Sequence, residues 1–148
     1  MDKPISGSLR TTFLVHMIIA AIFGAALWLV PGRTLTLVGW VPATFQLAGT
    51  DITAPGTIFV NPGITRLLGA ALLALAFSSY RGWRARQWGE VAFLVQLEAL
   101  FCVLALVALL VPIVLSGISI LQAWIWWVSV VILVGFIIAW GLALRQAH

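Results

Sequence analysis

The chain has 148 residues, of which 63% are hydrophobic and 8% charged, and its net charge is +4. So little charge excludes an ordinary soluble domain, where about 25% of residues are charged, and describes a chain that lipid must solvate. The positive balance does not point to nucleic acid, because the basic residues fall at helix ends and in short loops. The length suits one domain covering 1–148.

In chain order, four stretches at roughly 11–31, 63–81, 88–115 and 122–145 are long enough to cross about 30 Å of hydrocarbon as helices. The first follows Lys3 and Arg10 and invites a signal-peptide reading. However, residues 13–30 exceed a usual signal core, and no small-residue cleavage site follows Trp28-Leu29-Val30-Pro31, so it is read as a true span. Residues 32–62 then form one long loop with Pro42, Pro55, several threonines and the run TLTLVGWV. Loops of this length are often functional; the alternative is an interfacial flap packed on the helices by Leu35, Leu37 and Trp40. RGWRARQ reads as a tight turn that makes the second and third spans antiparallel neighbours. SGISILQ, beyond Pro112, reads as a short outer turn.

Basic residues set the expected direction. Lys3, Arg10, Arg81, Arg84, Arg86 and Arg145 lie at the N-terminus, the second turn and the C-terminus, against only Arg33 and Arg66 on the other side. The positive-inside rule then puts both termini in the cytoplasm. Trp28, Trp40, Trp124, Trp126 and Trp127 fit an outer aromatic belt, and Trp83, Trp88 and Trp140 an inner one. The fold class is therefore an all-α membrane protein, a four-transmembrane-helix bundle with one long extracytoplasmic loop. Small residues spaced for close helix approach are Ala20 with Gly24, Ala21 with Ala25, Gly69 with Ala70 and Ala74, and Gly135 with Ala139.

Few polar residues fall inside the spans: His16, Arg66, Glu90, Gln96 and Glu98. Counted from Arg81 and Arg86, Arg66 and Glu98 lie roughly 22 and 18 Å above the cytoplasmic turn, a difference an arginine stem can bridge. An intramembrane Arg66–Glu98 ion pair is expected, with His16 and Glu90 in a second, shallower tier. Such a pair fixes helix register; the alternative is a protonatable Glu98 on a proton or substrate path. His16 could ligate a haem or chlorophyll-type macrocycle, with the Ala20/Gly24 stripe leaving room for the ring. The only other histidine is His148, so a bis-histidine site is not expected, and a hydrogen-bonded His16 is the other reading. Gln96 faces away from Glu98, toward another helix or subunit. The lone Cys102 excludes an internal disulfide and a cysteine-based metal cluster and reads as a packing residue.

No catalytic or nucleotide-binding motif is present. A Ser–His–Asp set would need Asp2 or Asp51, outside the spans, with His16 inside. Glu90 and Glu98 are about 12 Å apart along one helix, too far for paired acid–base work. No catalytic residue, metal ligand or resident cofactor is expected beyond the macrocycle reading of His16.

IIAAIFGAALWLVPGRTLTLVGW, followed by GITRLLGAALLALAFSSYRGW, resembles small bacterial four-helix membrane proteins of the DoxX-like and related domain-of-unknown-function type. The likeness covers nearly the whole chain. It implies a four-helix bundle in the bacterial inner membrane and places Arg66 at that group's arginine position, with no catalytic residue to carry over. The third span matches least, so Glu98 gains nothing from it, and the loop here is longer.

The expected function is non-enzymatic: an accessory or scaffold subunit of a larger membrane complex, of respiratory or photosynthetic type, with lipids and other subunits or a second copy as partners. The alternative is a small carrier or a lipid- or quinone-binding protein using Glu98 and Arg66. A third reading is a pigment- or haem-ligating subunit through His16. A pocket between the second and third spans would favour the carrier; a tight Arg66–Glu98 contact would favour the scaffold.

Overall fold

The computed structural model describes residues 3–116 and 124–147, with side-chain surroundings for 3–111 and 127–145. Apart from Ser116, the outer turn expected from SGISILQ falls outside these residues, as do the side chains of Trp124 and Trp126, and Asp2 and His148.

Helix α1, Gly7–Leu29, starts at Ser6, whose hydroxyl accepts the Leu9 amide at 3.2 Å. It stops because Pro31 has no N–H to continue the ladder and holds Val30 off helical geometry, at φ −132° and ψ 60°. Helices α3 (Pro62–Arg84), α4 (Trp88–Ser116) and α5 (Trp124–Ala147) complete a set of four that are long and apolar enough to cross a membrane. Asn61 caps α3 by accepting the amides of Gly63 and Ile64. α1 begins a turn earlier than expected and α3 ends most of a turn later.

The stretch between α1 and α3, expected as one long loop, has structure of its own. It holds a short helix α2 (Pro31–Leu37), an antiparallel hairpin of β1 (Thr44–Gln46) and β2 (Thr53–Pro55), and a 3₁₀ turn at Gly56–Phe59. Pro31 begins α2 at a position where a missing N–H costs nothing. Gly39, at φ 73°, ends it: its amide reaches Thr36 O at 3.2 Å and the Trp40 amide reaches Leu35 O at 2.9 Å. Thr34 and Val38 are the buried side chains here, while Leu37 is 76% exposed and so does not anchor a flap.

α1 and α3 pack antiparallel and very closely. A Cβ on Gly24 would lie 3.0 Å from Gly69 O, and one on Gly69 would lie 2.9 Å from Gly24 O, so only glycine lets these backbones approach. Further along the same seam the Phe13 ring fills the space a side chain at Gly82 would need. The stripe on α5 is different: nothing stands within 4 Å of a Cβ at Gly135. α4 packs mainly on α5. At one end of the molecule the Ile5 amide reaches Arg86 O, the Trp88 amide reaches Lys3 O at 2.9 Å, and Arg10 Nη2 reaches Ala85 O at 3.2 Å. Ala85 and Leu9 share the core there with Ala143 of α5, so the start of α1, the α3–α4 turn and the end of α5 meet. Trp140 does not join an inner belt; it is fully buried, with its ring centroid 4.9 Å from that of Phe13.

Overpacking a tight seam costs about 1–3 kcal/mol. Gly24→Leu should therefore lower the unfolding midpoint of the detergent-solubilised protein by several degrees. Gly135→Leu, into open space, should leave it within the scatter of ordinary surface changes; thermal unfolding followed by circular dichroism compares the two.

Candidate functional site

The buried residues of α4 recur at helical spacing through Val91, Val95, Glu98 and Cys102, which turns Glu98 to the interior with the core. Its side chain is fully buried. The α1 stripe of Phe13, His16 and Ala20 and the α3 stripe of Ala76, Ser79 and Gly82 face each other along the glycine seam. Three polar side chains from three helices therefore converge. His16 Nδ1 lies 2.8 Å from Ser79 Oγ, Ser79 Oγ lies 2.8 Å from Glu98 Oε1, and His16 Nδ1 lies 3.1 Å from Glu98 Oε2. Aromatic rings wall the group in: Phe136 meets the imidazole edge-on at 4.6 Å and Trp140 at 5.9 Å.

The distances restrict where the protons sit. With Ser79 donating its single hydrogen to Glu98 Oε1, Ser79 must accept from His16 Nδ1–H, which makes a histidine–serine–glutamate chain. The same atoms also fit the reverse chain, in which a protonated Glu98 donates to Ser79 and Ser79 donates to a bare Nδ1. Shifting two hydrogens along the chain converts an imidazolium–carboxylate pair into a neutral pair with no heavy atom moved. The direct 3.1 Å contact is an ion pair only in the charged form and is not a hydrogen bond, and Oε2 has no hydrogen-bond donor among the described residues. Either way Nδ1 is committed, and Nε2 is the nitrogen left for another group.

This pairing replaces both expected ones. Arg66 does not meet Glu98; its Nε donates to Trp28 O at 3.3 Å. There it satisfies a carbonyl at the C-terminus of α1 and sets a cation at the negative end of that helix dipole. Glu90 does not meet His16; its Oε2 accepts the Arg86 amide at 3.3 Å, beside the start of α4. The reason lies in where depth is counted from. α3 runs to Arg84, so Arg66 is 18 residues, about 27 Å, from that end, and Glu98 is ten residues, about 15 Å, from Trp88. His16, nine residues or about 14 Å beyond Gly7, is at the height of Glu98. Ser79 was not singled out from the sequence. Its only signal is its place on the α3 stripe, one turn on from Ala76. Gln96 is exposed, on a different face of α4 from Glu98.

His16 also lines an apolar cavity of about 150 Å³ between α1, α3, α4 and α5, with Trp40 among its walls. Ala20, Phe23, Leu72, Ala105 and Leu133 are among its apolar lining residues. Sites that enclose drug-sized ligands span about 300–1,000 Å³, so this space does not fit a haem or chlorophyll-type macrocycle on His16. A second, larger space of about 810 Å³ opens between α3 and α4. Among the described residues no group of three or more His, Cys, Asp or Glu side chains stands ready to hold a metal ion. Comparison with family models, curated proteins and solved structures found no match.

Removing the bridge strands two buried partners, so Ser79→Ala should cost about 1–3 kcal/mol, read as a fall in the unfolding midpoint. Arg66→Ala should cost about 0.3–1 kcal/mol through the α1 terminus. Its cost should be the same in a Glu98→Gln background, since residues without shared partners add to within about 0.5 kcal/mol.

Proposed function

We propose that the protein is a non-enzymatic multi-pass protein of the bacterial cytoplasmic membrane that binds a small ring-bearing apolar ligand of the quinone class beside His16. The observation that carries this reading is the junction of a buried hydrogen-bonded histidine with an apolar cavity. A cavity of about 150 Å³ with apolar walls accepts a benzene-sized ring, and such a wall with one polar group is the usual make-up of a ligand site. His16 Nε2 donates to a ligand carbonyl when it carries a hydrogen and accepts from a ligand hydroxyl when it does not. The Ser79–Glu98 chain holds the imidazole in place and exchanges its proton inside the bundle. The ligand's tail would leave between helices into lipid. Glu98 thus serves the site, while Arg66 belongs to the helix terminus.

The excess of Lys and Arg at the end holding Lys3, Arg81, Arg84, Arg86 and Arg145 supports cytoplasmic termini. The cavity, near Leu27, Trp40 and Leu109, then lies in the outer half of the bilayer. The likeness of the first two spans to DoxX-like proteins supports the bacterial membrane setting.

A specific observation also supports an accessory or scaffold role. Gln96 is exposed on α4 among the exposed Phe93, Leu97 and Leu100, where hydrocarbon leaves an amide without partners. A helix of another subunit, or of a second copy, would satisfy it.

Titration of the purified protein with a short-tail benzoquinone, followed by calorimetry in detergent, tests the binding site. Saturable binding of one equivalent is expected. His16→Phe should weaken it about tenfold, the effect of one lost hydrogen bond, and Ala105→Phe, which fills the cavity, should abolish it. No binding by the native protein, or full binding by the folded Ala105→Phe variant, would overturn the proposal.

A further inference from the structure

The groove between α3 and α4 is graded along its length. At the turn end stand Arg81, Arg84 and Glu90; farther in, Phe77, Phe93, Leu94 and Ala74 form apolar walls. Ala74 lies ten residues, about 15 Å, above Arg84, so the apolar part is half a bilayer core deep. The Arg81 guanidinium has no hydrogen bond or ion pair with any described residue, while its carbonyl accepts the Ala85 amide at 3.1 Å. Arg84 uses one nitrogen, Nη1, on the Tyr80 hydroxyl at 3.1 Å and lies 5.9 Å over its ring, which leaves other N–H groups to spend. The one carboxylate, Glu90, already accepts the Arg86 amide, so two guanidinium groups face the groove against a single engaged acid. Ser78 Oγ, also in the lining, is buried with no hydrogen-bond partner. Phe77 and Phe93 are 63% and 70% exposed, so none of the described residues closes the groove.

We infer that this groove holds one anionic phospholipid, its phosphate between Arg81 and Arg84 and an acyl chain running up between Phe77 and Phe93. Charge complementarity selects this occupant. A second copy of the chain would bring its own basic turn to a basic mouth, and a neutral lipid would leave both arginines unanswered. A volume of about 810 Å³ suits a chain-bearing ligand rather than a bare ion. Basic pockets between membrane helices at headgroup level are known for anionic headgroup binding. The site is distinct from the cavity beside His16 and stands whether or not that cavity binds a quinone.

The test is native mass spectrometry of the delipidated full chain titrated with phosphatidylglycerol, phosphatidylcholine or inorganic phosphate, with thermal unfolding on the same samples. One phosphatidylglycerol should bind and raise the unfolding midpoint, while phosphatidylcholine should bind at least tenfold more weakly and inorganic phosphate should neither bind nor stabilise. The double variant Arg81→Gln/Arg84→Gln should bind phosphatidylglycerol about thirty-fold more weakly. Ala74→Trp, an exposed position that blocks the apolar channel, should abolish binding with both arginines intact. Equal binding of the two lipids, unchanged binding in the folded double variant, a phosphate effect equal to that of the lipid, or a second protein chain retained in place of lipid would each overturn the proposal.

Discussion

Glu98 is fully buried in α4, where a carboxylate without a partner costs roughly 2.5–3.5 kcal/mol on insertion scales. The apolar helices around it gain little from each other, since lipid tails solvate leucine as well as leucine does. A hydrogen-bonded partner must therefore be delivered to Glu98 by the packing, and His16 and Ser79 are that partner. Their three-way contact ties α1, α3 and α4 together at one height, and Phe136 and Trp140 of α5 close over it. Buried pairs of this kind add little net stability, but losing one member is expensive. The contact thus acts mainly to specify which helix faces meet.

What brings Ser79 within 2.8 Å of His16 is the glycine seam. Gly24 and Gly69 allow the α1 and α3 backbones to touch, and Gly82 makes room for Phe13 one turn below His16. Arg66 works at the opposite end of that pair, where it closes the C-terminus of α1. The two polar features thus do separate jobs: one holds the helix ends, the other the middle. The looser α3–α4 contact is what leaves a groove on the lipid side.

The four spans were legible because about 20 apolar residues have few alternatives to a membrane helix. The small-residue stripes holding Gly24 and Gly69 were legible too, but not that they face each other. Helix α2 carried its signals, Pro31 at one end and Gly39 at the other, but residues 32–62 as a whole have the composition of a loop. The partner of Glu98 was misread because height was counted from arginines instead of from helix ends, and the extra residues of α3 beyond Arg81 moved Arg66 out of reach. Ser79 could not be told from Ser78 by type; only the α3 register, fixed by Gly69, separates the buried bridge from its neighbour. Trp140 shows the same limit. A tryptophan near a helix end usually belongs to the interface, and only its position on the stripe with Phe136 and Ala143 places it in the core.

A carboxylate–serine–histidine chain that ends at an apolar cavity links the packing to the ligand reading, because the bond that fixes the helices also orients the ring that would meet a ligand. The most direct test of that chain is a double-mutant cycle between His16→Phe and Glu98→Gln, read as unfolding free energy in one detergent. The account expects the pair to be coupled by about 0.5–3 kcal/mol, as residues in one hydrogen-bond network are. Additive costs for the two changes would contradict it.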